Sequence, residues 1–135
     1  MKKYIILIPV YNDWQSVFKL IQNIDLQLND EIVEILIVND ASTEKYEENL
    51  KGISKIKSVK IINLNNNGGH RRAIATGLKY CKDNLEFDCI IPMDGDGEDR
   101  PEELKKFFKK AKMNTDVVTA VRVQRSEGTL FKILY

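Results

Sequence analysis

The chain has 135 residues, 43% of them apolar and 30% charged, which is the makeup of one globular domain and not of a disordered, collagen-like or disulfide-stapled chain. Lys plus Arg (21) and Asp plus Glu (20) leave a formal charge of +1, so no overall field draws it to nucleic acid or to an anionic membrane. Cys81 and Cys89 have neither zinc nor CxxC spacing and are expected as reduced, buried thiols.

Met1-Lys2-Lys3 and the apolar run Tyr4 to Val10 open the chain. The run is shorter than the ~18 apolar residues of a membrane span, and no small-residue cleavage site follows it. A buried strand, Lys3 to Ile8, in a cytoplasmic protein is expected. Trp14, Val17, Phe18, Ile21 and Leu28 then recur near helical spacing, with Asp13 placed to cap. Further strands are expected at Ile32 to Val38, Val59 to Leu64, Phe87 to Met93 and Asp116 to Val121, and helices at Ala73 to Lys82 and Pro101 to Met113. Thr43 to Leu50 is a weaker helix candidate. Apolar strand runs alternating with helical periods predict an α/β fold, a three-layer α/β/α sandwich on a mainly parallel sheet. No linker or repeat divides residues 1–135, so a single domain is expected.

The polar, glycine-rich segments follow the strands: Tyr11 to Asp13, Asn39 to Ser42, Asn65 to Gly69, Asp94 to Gly97 and Arg122 to Arg125. In open parallel sheets the carboxyl ends of the strands line the ligand crevice, so one rim carries nearly all the candidate chemistry.

Asp94, Asp96, Glu98 and Asp99 crowd into that rim, and like charges this close repel unless a cation sits among them. In an extended segment residues two apart point the same way, so Asp94, Asp96 and Glu98 can converge as metal ligands, while Gly95 and Gly97 let a ligand approach the backbone. Oxygen-only ligands select Mg2+ or Mn2+ over zinc. An EF-hand is excluded, since Asp99 and Lys105 stand where its glycine and clamping glutamate belong. An open metal site takes phosphate oxygens, and Gly68, Gly69 and Arg72 sit at a strand-to-helix turn suited to a diphosphate. Arg71 reads as a solvated neighbour and His70 as a cap or packing residue. Asp40 is either a helix cap or an acceptor for a base N–H or ribose hydroxyl.

Together, Ile8-Pro9-Val10-Tyr11-Asn12, Val38-Asn39-Asp40-Ala41-Ser42-Thr43, Asn67-Gly68-Gly69-His70-Arg71-Arg72-Ala73-Ile74-Ala75 and Asp94-Gly95-Asp96-Gly97-Glu98-Asp99-Arg100-Pro101 resemble, in order and spacing, the family two glycosyltransferases of the GT-A fold. The resemblance covers essentially the whole chain. It implies a metal-dependent, inverting transfer of sugar from a nucleotide-diphosphate sugar donor. Pro9, Val10, Tyr11 and Asn12 match the loop beneath the nucleotide, Asp40 the acid that contacts the base, and Gly69 and Arg72 the glycine-rich segment near base or phosphate. Asp94, Gly95 and Asp96 match the DxD motif, with Asp96 the direct metal ligand and Glu98 an occasional third. Arg122, with Arg125 beside it, matches a cation near the diphosphate.

The resemblance also implies that full-length relatives continue further, with acceptor-binding elements and often membrane anchors. The catalytic base is expected outside this chain, Glu127 being the one acid after Asp116. The acceptor could be a lipid phosphate, a saccharide or a protein. A non-catalytic nucleotide-sugar-binding module is the alternative. A nucleotidyltransferase is disfavoured because Pro9-Val10-Tyr11-Asn12 is not a glycine-rich basic loop. A receiver domain is disfavoured by Asn65, where it would place an aspartate.

Overall fold

The computed structural model describes residues 1–113 in full and, beyond them, the backbone of residues 119–122 and 131–134. Strands β1 (Lys3–Val10), β2 (Ile32–Asn39), β3 (Ser58–Asn63) and β4 (Cys89–Pro92) form one parallel sheet in the order β3-β2-β1-β4. Helices α1 (Trp14–Gln27), α2 (His70–Asn84) and α3 (Leu104–Ala111) cover it, with a 3-10 turn at Pro101–Glu103 leading into α3. Among the described residues no helix is long and apolar enough to cross a membrane.

The continuous apolarity of β1 and β2 follows from burial on both faces. Tyr4, Ile6, Ile8 and Val10 of β1 join Trp14, Phe18, Ile21 and Ile24 of α1 and Leu104, Phe108 and Ala111 of α3 in one core. Ile5 and Leu7, alternating to the opposite face, join Leu36, Val38, Ala73 and Cys81 in a second. The expected three layers are therefore present, with α1 and α3 on one face and α2 on the other. The two faces pack differently. Helix α1 presents large side chains, whereas α2 presents Ala73, Gly77 and Cys81 one turn apart. A Cβ on Gly77 would lie 2.4 Å from Leu7 Cδ1 and 2.8 Å from Val38 Cγ2, so only glycine lets α2 approach the sheet this closely.

Four expectations are corrected. Residues 43–50 form no helix. Side chains of α1 hold the chain here instead: Gln22 Nε2 donates to Asn49 O and Lys51 O, and just beyond the segment buried Asp25 accepts from the amides of Ser54, Lys55 and Ile56 at 2.8–3.1 Å. Tyr46 stacks on Trp14 with ring centroids 3.7 Å apart. These tertiary anchors outweigh a marginal helix propensity. The fifth strand, β5 (Thr119–Arg122), does not extend the parallel sheet but pairs antiparallel with β6 (Phe131–Leu134), for which the apolar tail supplies the partner. Asp13 precedes α1 but makes no side-chain capping bond. Of the two thiols, both free, Cys81 is buried and Cys89 only half-buried.

Candidate functional site

The chain leaves β1 for β2 on one side and returns from β3 to β4 on the other, so the winding direction reverses between β1 and β4. Ligand crevices form outside the strand ends at such a point. Here a cleft of about 380 Å³ is lined by Pro9, Val10, Tyr11, Asp13, Val17, His70, Asp94, Gly95 and Asp96. Pro9 helps to open it. Leu7 O accepts the Met93 amide at 2.9 Å, and the β1–β4 register ends at Leu7↔Pro92. Two residues on, Pro9 addresses the same side but has no N–H to continue the ladder. Gly95 then passes so close to α1 that a Cβ would lie 2.7 Å from Val17 Cγ2.

Tyr11, 48% exposed, presents an aromatic side chain to the cleft. Asn12 does something else. At φ 63, in the left-handed region that asparagine tolerates, its amide donates to Ser42 Oγ at 2.9 Å and its Oδ1 accepts the amides of Thr43 and Glu44 at 2.8 and 3.0 Å. Asn12 thus clamps the loop after β2 and does not line the cleft. Asn39 continues the clamp, accepting from the Ser42 amide and donating to Asn63 Oδ1.

Asp40, 3% exposed at the end of β2, accepts the Gly68 amide on Oδ1 at 2.9 Å and the Gly69 amide on Oδ2 at 3.0 Å. Neither reading of Asp40 as a cap for its own segment or as an acceptor for a base includes this contact. Its carboxylate shapes the glycine-rich turn from which α2 starts, where Gly69 takes φ 87. Arg72 is exposed and folds back over Gly68, where a Cβ would lie 2.5 Å from its Cδ. Arg72, Gly69 and Asp40 stand beside the cleft-lining set and are not part of it.

The acidic segment is a turn and not an extended stretch. Asp94 N–H donates to Asp99 Oδ2 at 2.8 Å, Glu98 N–H donates to Asp96 Oδ1 at 2.9 Å, and Gly97 sits at φ 86. Alternation therefore does not apply. Asp94 and Asp96 line the cleft while Glu98 does not, and among the described residues no group of three or more His, Cys, Asp or Glu is arranged to hold a metal. Of the expected trio, Asp94 and Asp96 share the cleft. Two carboxylates fit Mg2+ or Mn2+ where a ligand's phosphates supply further oxygens, the usual arrangement for magnesium.

The sequence missed His70, whose Nε2 lies 3.0 Å from Asp94 Oδ1. It also missed Asp13 and Val17 as lining residues. The histidine contact joins positions 24 apart in sequence, and no local pattern announces it. The side chain of Arg122, and Arg125 and Glu127 entirely, lie outside the described residues.

Known proteins supply an independent comparison. Residues 5–135 match the family described as glycosyl transferase family 2. An uncharacterized glycosyltransferase of Bacillus subtilis, YkcC, is 35% identical over 133 residues, covering 96% of this chain and 40% of the relative. The undecaprenyl-phosphate 4-deoxy-4-formamido-L-arabinose transferase of Pseudomonas fluorescens is 32% identical over 128 residues, covering 91% and 36%. The chain thus spans about two-fifths of the length of these relatives. Crystal structures of S. aureus TarS share the fold: one aligns with TM-score 0.67 at 20% identity over 93% of this chain and 23% of TarS, and a second, of residues 1–349, with TM-score 0.57 at 23% identity over 82% and 32%. With the four motifs in order on the rim of a doubly wound sheet, and a family match over nearly every residue, this chain belongs to glycosyl transferase family 2.

Proposed function

We propose that this chain binds a nucleotide-diphosphate sugar at the β1–β4 crevice, with Mg2+ or Mn2+, as the donor half of an inverting glycosyltransferase. One observation carries the reading: the carboxylates Asp94 and Asp96, the exposed ring of Tyr11 and His70 at the start of α2 all line a single cleft at the switch point of the sheet. Asp94 and Asp96 would hold the ion, which when bound neutralises charge on the departing diphosphate. Tyr11 offers a flat face to a base. The amino end of α2 and the nearby Arg72 favour the phosphates. An acceptor oxygen attacking the anomeric carbon from the face opposite the diphosphate inverts its configuration.

For the acceptor we favour a lipid phosphate. The Pseudomonas relative is named for undecaprenyl phosphate, and a phosphate oxygen, already ionised at neutral pH, needs no strong base to attack.

A thermal-shift screen of UDP-, GDP- and dTDP-sugars, with and without Mn2+, tests the donor reading, because a ligand that binds only the folded state raises the melting temperature. One nucleotide class should raise it, and by far more with the metal present than without it. No shift from any of them would overturn the reading. Turnover of that donor by the longer protein would separate a transferase from a binding module.

A further inference from the structure

Resting on the donor-site reading above, we infer that His70 is a positioning residue that sets the orientation of the Asp94 carboxylate toward the cleft. The backbone on both sides of this contact is fixed. On the α2 side, buried Asp40 holds the amides of Gly68 and Gly69, so the helix starts at one defined place. Ala73, Gly77 and Cys81 seat the helix on the sheet. On the opposite side, Leu7 O holds the Met93 amide, Asp99 holds the Asp94 amide, and Gly95 is packed against Val17.

What the backbone leaves free is the rotation of the Asp94 side chain, which is 36% exposed. In this position a carboxylate has solvent to turn to, and its neighbours Asp96, Glu98 and Asp99 all carry the same charge. The contact from His70 Nε2 to Asp94 Oδ1, 3.0 Å long, selects one orientation and leaves the second oxygen available to a ligand. A carboxylate that binds a metal is usually itself held by a neighbouring polar group, and loss of such a partner weakens metal affinity about 10- to 100-fold. Because the pair is half-exposed, we expect the lower end. His70 therefore acts through Asp94 and not on the sugar.

Calorimetric titration of MnCl2 together with UDP, and separately with GDP, into the wild-type chain, His70→Ala and His70→Gln tests this. His70→Ala should weaken manganese-dependent binding about tenfold, with an unchanged melting temperature. His70→Gln, which retains an N–H donor, should recover most of the loss. The same titrations with EDTA in place of manganese should give equal affinities for all three proteins. Unchanged manganese-dependent affinity in His70→Ala would overturn the inference while leaving the donor site standing. So would an equal loss with and without metal, since His70 would then be touching the diphosphate itself. Absence of any binding by the wild type would instead remove the donor-site reading, and the inference with it.

Discussion

At the amino-terminal edge of the parallel sheet, Lys3 Nζ lies 3.1 Å from Glu34 Oε1 and the Lys3 amide donates to Asp88 Oδ2 at 2.7 Å, so charges there are matched by their neighbours. At the carboxyl rim the balance is different. Among the described residues, five have positive φ, and four of these, Asn12, Ala41, Gly69 and Gly97, lie on rim loops. Asp94 and Asp96 share one cleft there, with the His70 imidazole beside them. One end of the sheet is arranged for stability, while the other holds backbone strain and like charge that only surrounding structure maintains. Buried carboxylates mark the same contrast. Asp25 fastens a connecting segment to α1 far from the cleft, whereas Asp40 fastens the turn that delivers His70 to it.

If this division is right, substitutions of cleft-lining side chains should change binding and spare stability, and substitutions outside the cleft should do the reverse. The largest effect is expected from Asp96→Ala: calorimetry should show manganese-dependent nucleoside diphosphate binding lost, with the thermal melt unchanged. A melt lowered in step with the lost binding would erase the distinction. Next comes Gly77→Val beneath α2, where side-chain atoms would collide with Leu7 and Val38. Overpacking there should cost about 3 kcal/mol in urea unfolding.

Asp25→Asn should cost about 2 kcal/mol at neutral pH, because one amide oxygen cannot satisfy three backbone donors, and should leave nucleotide affinity alone. The effect has a defined pH dependence. Burial pushes the Asp25 carboxyl up, but the amides of Ile56, Ser54 and Lys55, helped by the Lys55 charge, outweigh it and hold the group below its ordinary 3.8. A carboxyl depressed by folding adds stability above its unfolded value and loses it as pH falls through the folded one. The gap between wild type and Asp25→Asn should therefore narrow as pH drops below 3.8. A constant gap would show that the ionised form is not what the three amides prefer. The smallest effect is expected from Ala41→Gly. Ala41 stands at φ 58, and relief of left-handed strain, offset by the freer unfolded glycine, should raise stability by up to about 1 kcal/mol.

How much of this was readable in the sequence depended on how local the cause was. β1 and β2 announce themselves because burial on both faces demands unbroken runs such as Tyr4 to Ile8 and Ile35 to Val38. The rim was legible for the same reason, since polar turns at strand ends fall together in any parallel sheet. Residues 43–50 form no helix because Asn12, Gln22 and Trp14 hold that segment from a distance. Glu98 falls outside the cleft lining because Gly97 and the Asp96–Glu98 hydrogen bond make a turn where alternation assumes an extended segment. The partner of β5 was hidden because antiparallel pairing with β6 leaves no mark in β5 itself. Asp40 kept two readings open in sequence, and its contact with Gly68 and Gly69 required the structure.

Pro9 carries a consequence for the energetics of recognition. By ending the β1–β4 ladder with a missing hydrogen, it writes the crevice into the covalent chain, so the gap between these strands exists before any ligand arrives and none of the binding energy is needed to part them. Amide exchange would display this as a step, with slow exchange at Met93 N–H, the last rung, and rapid exchange just beyond it at Gly95.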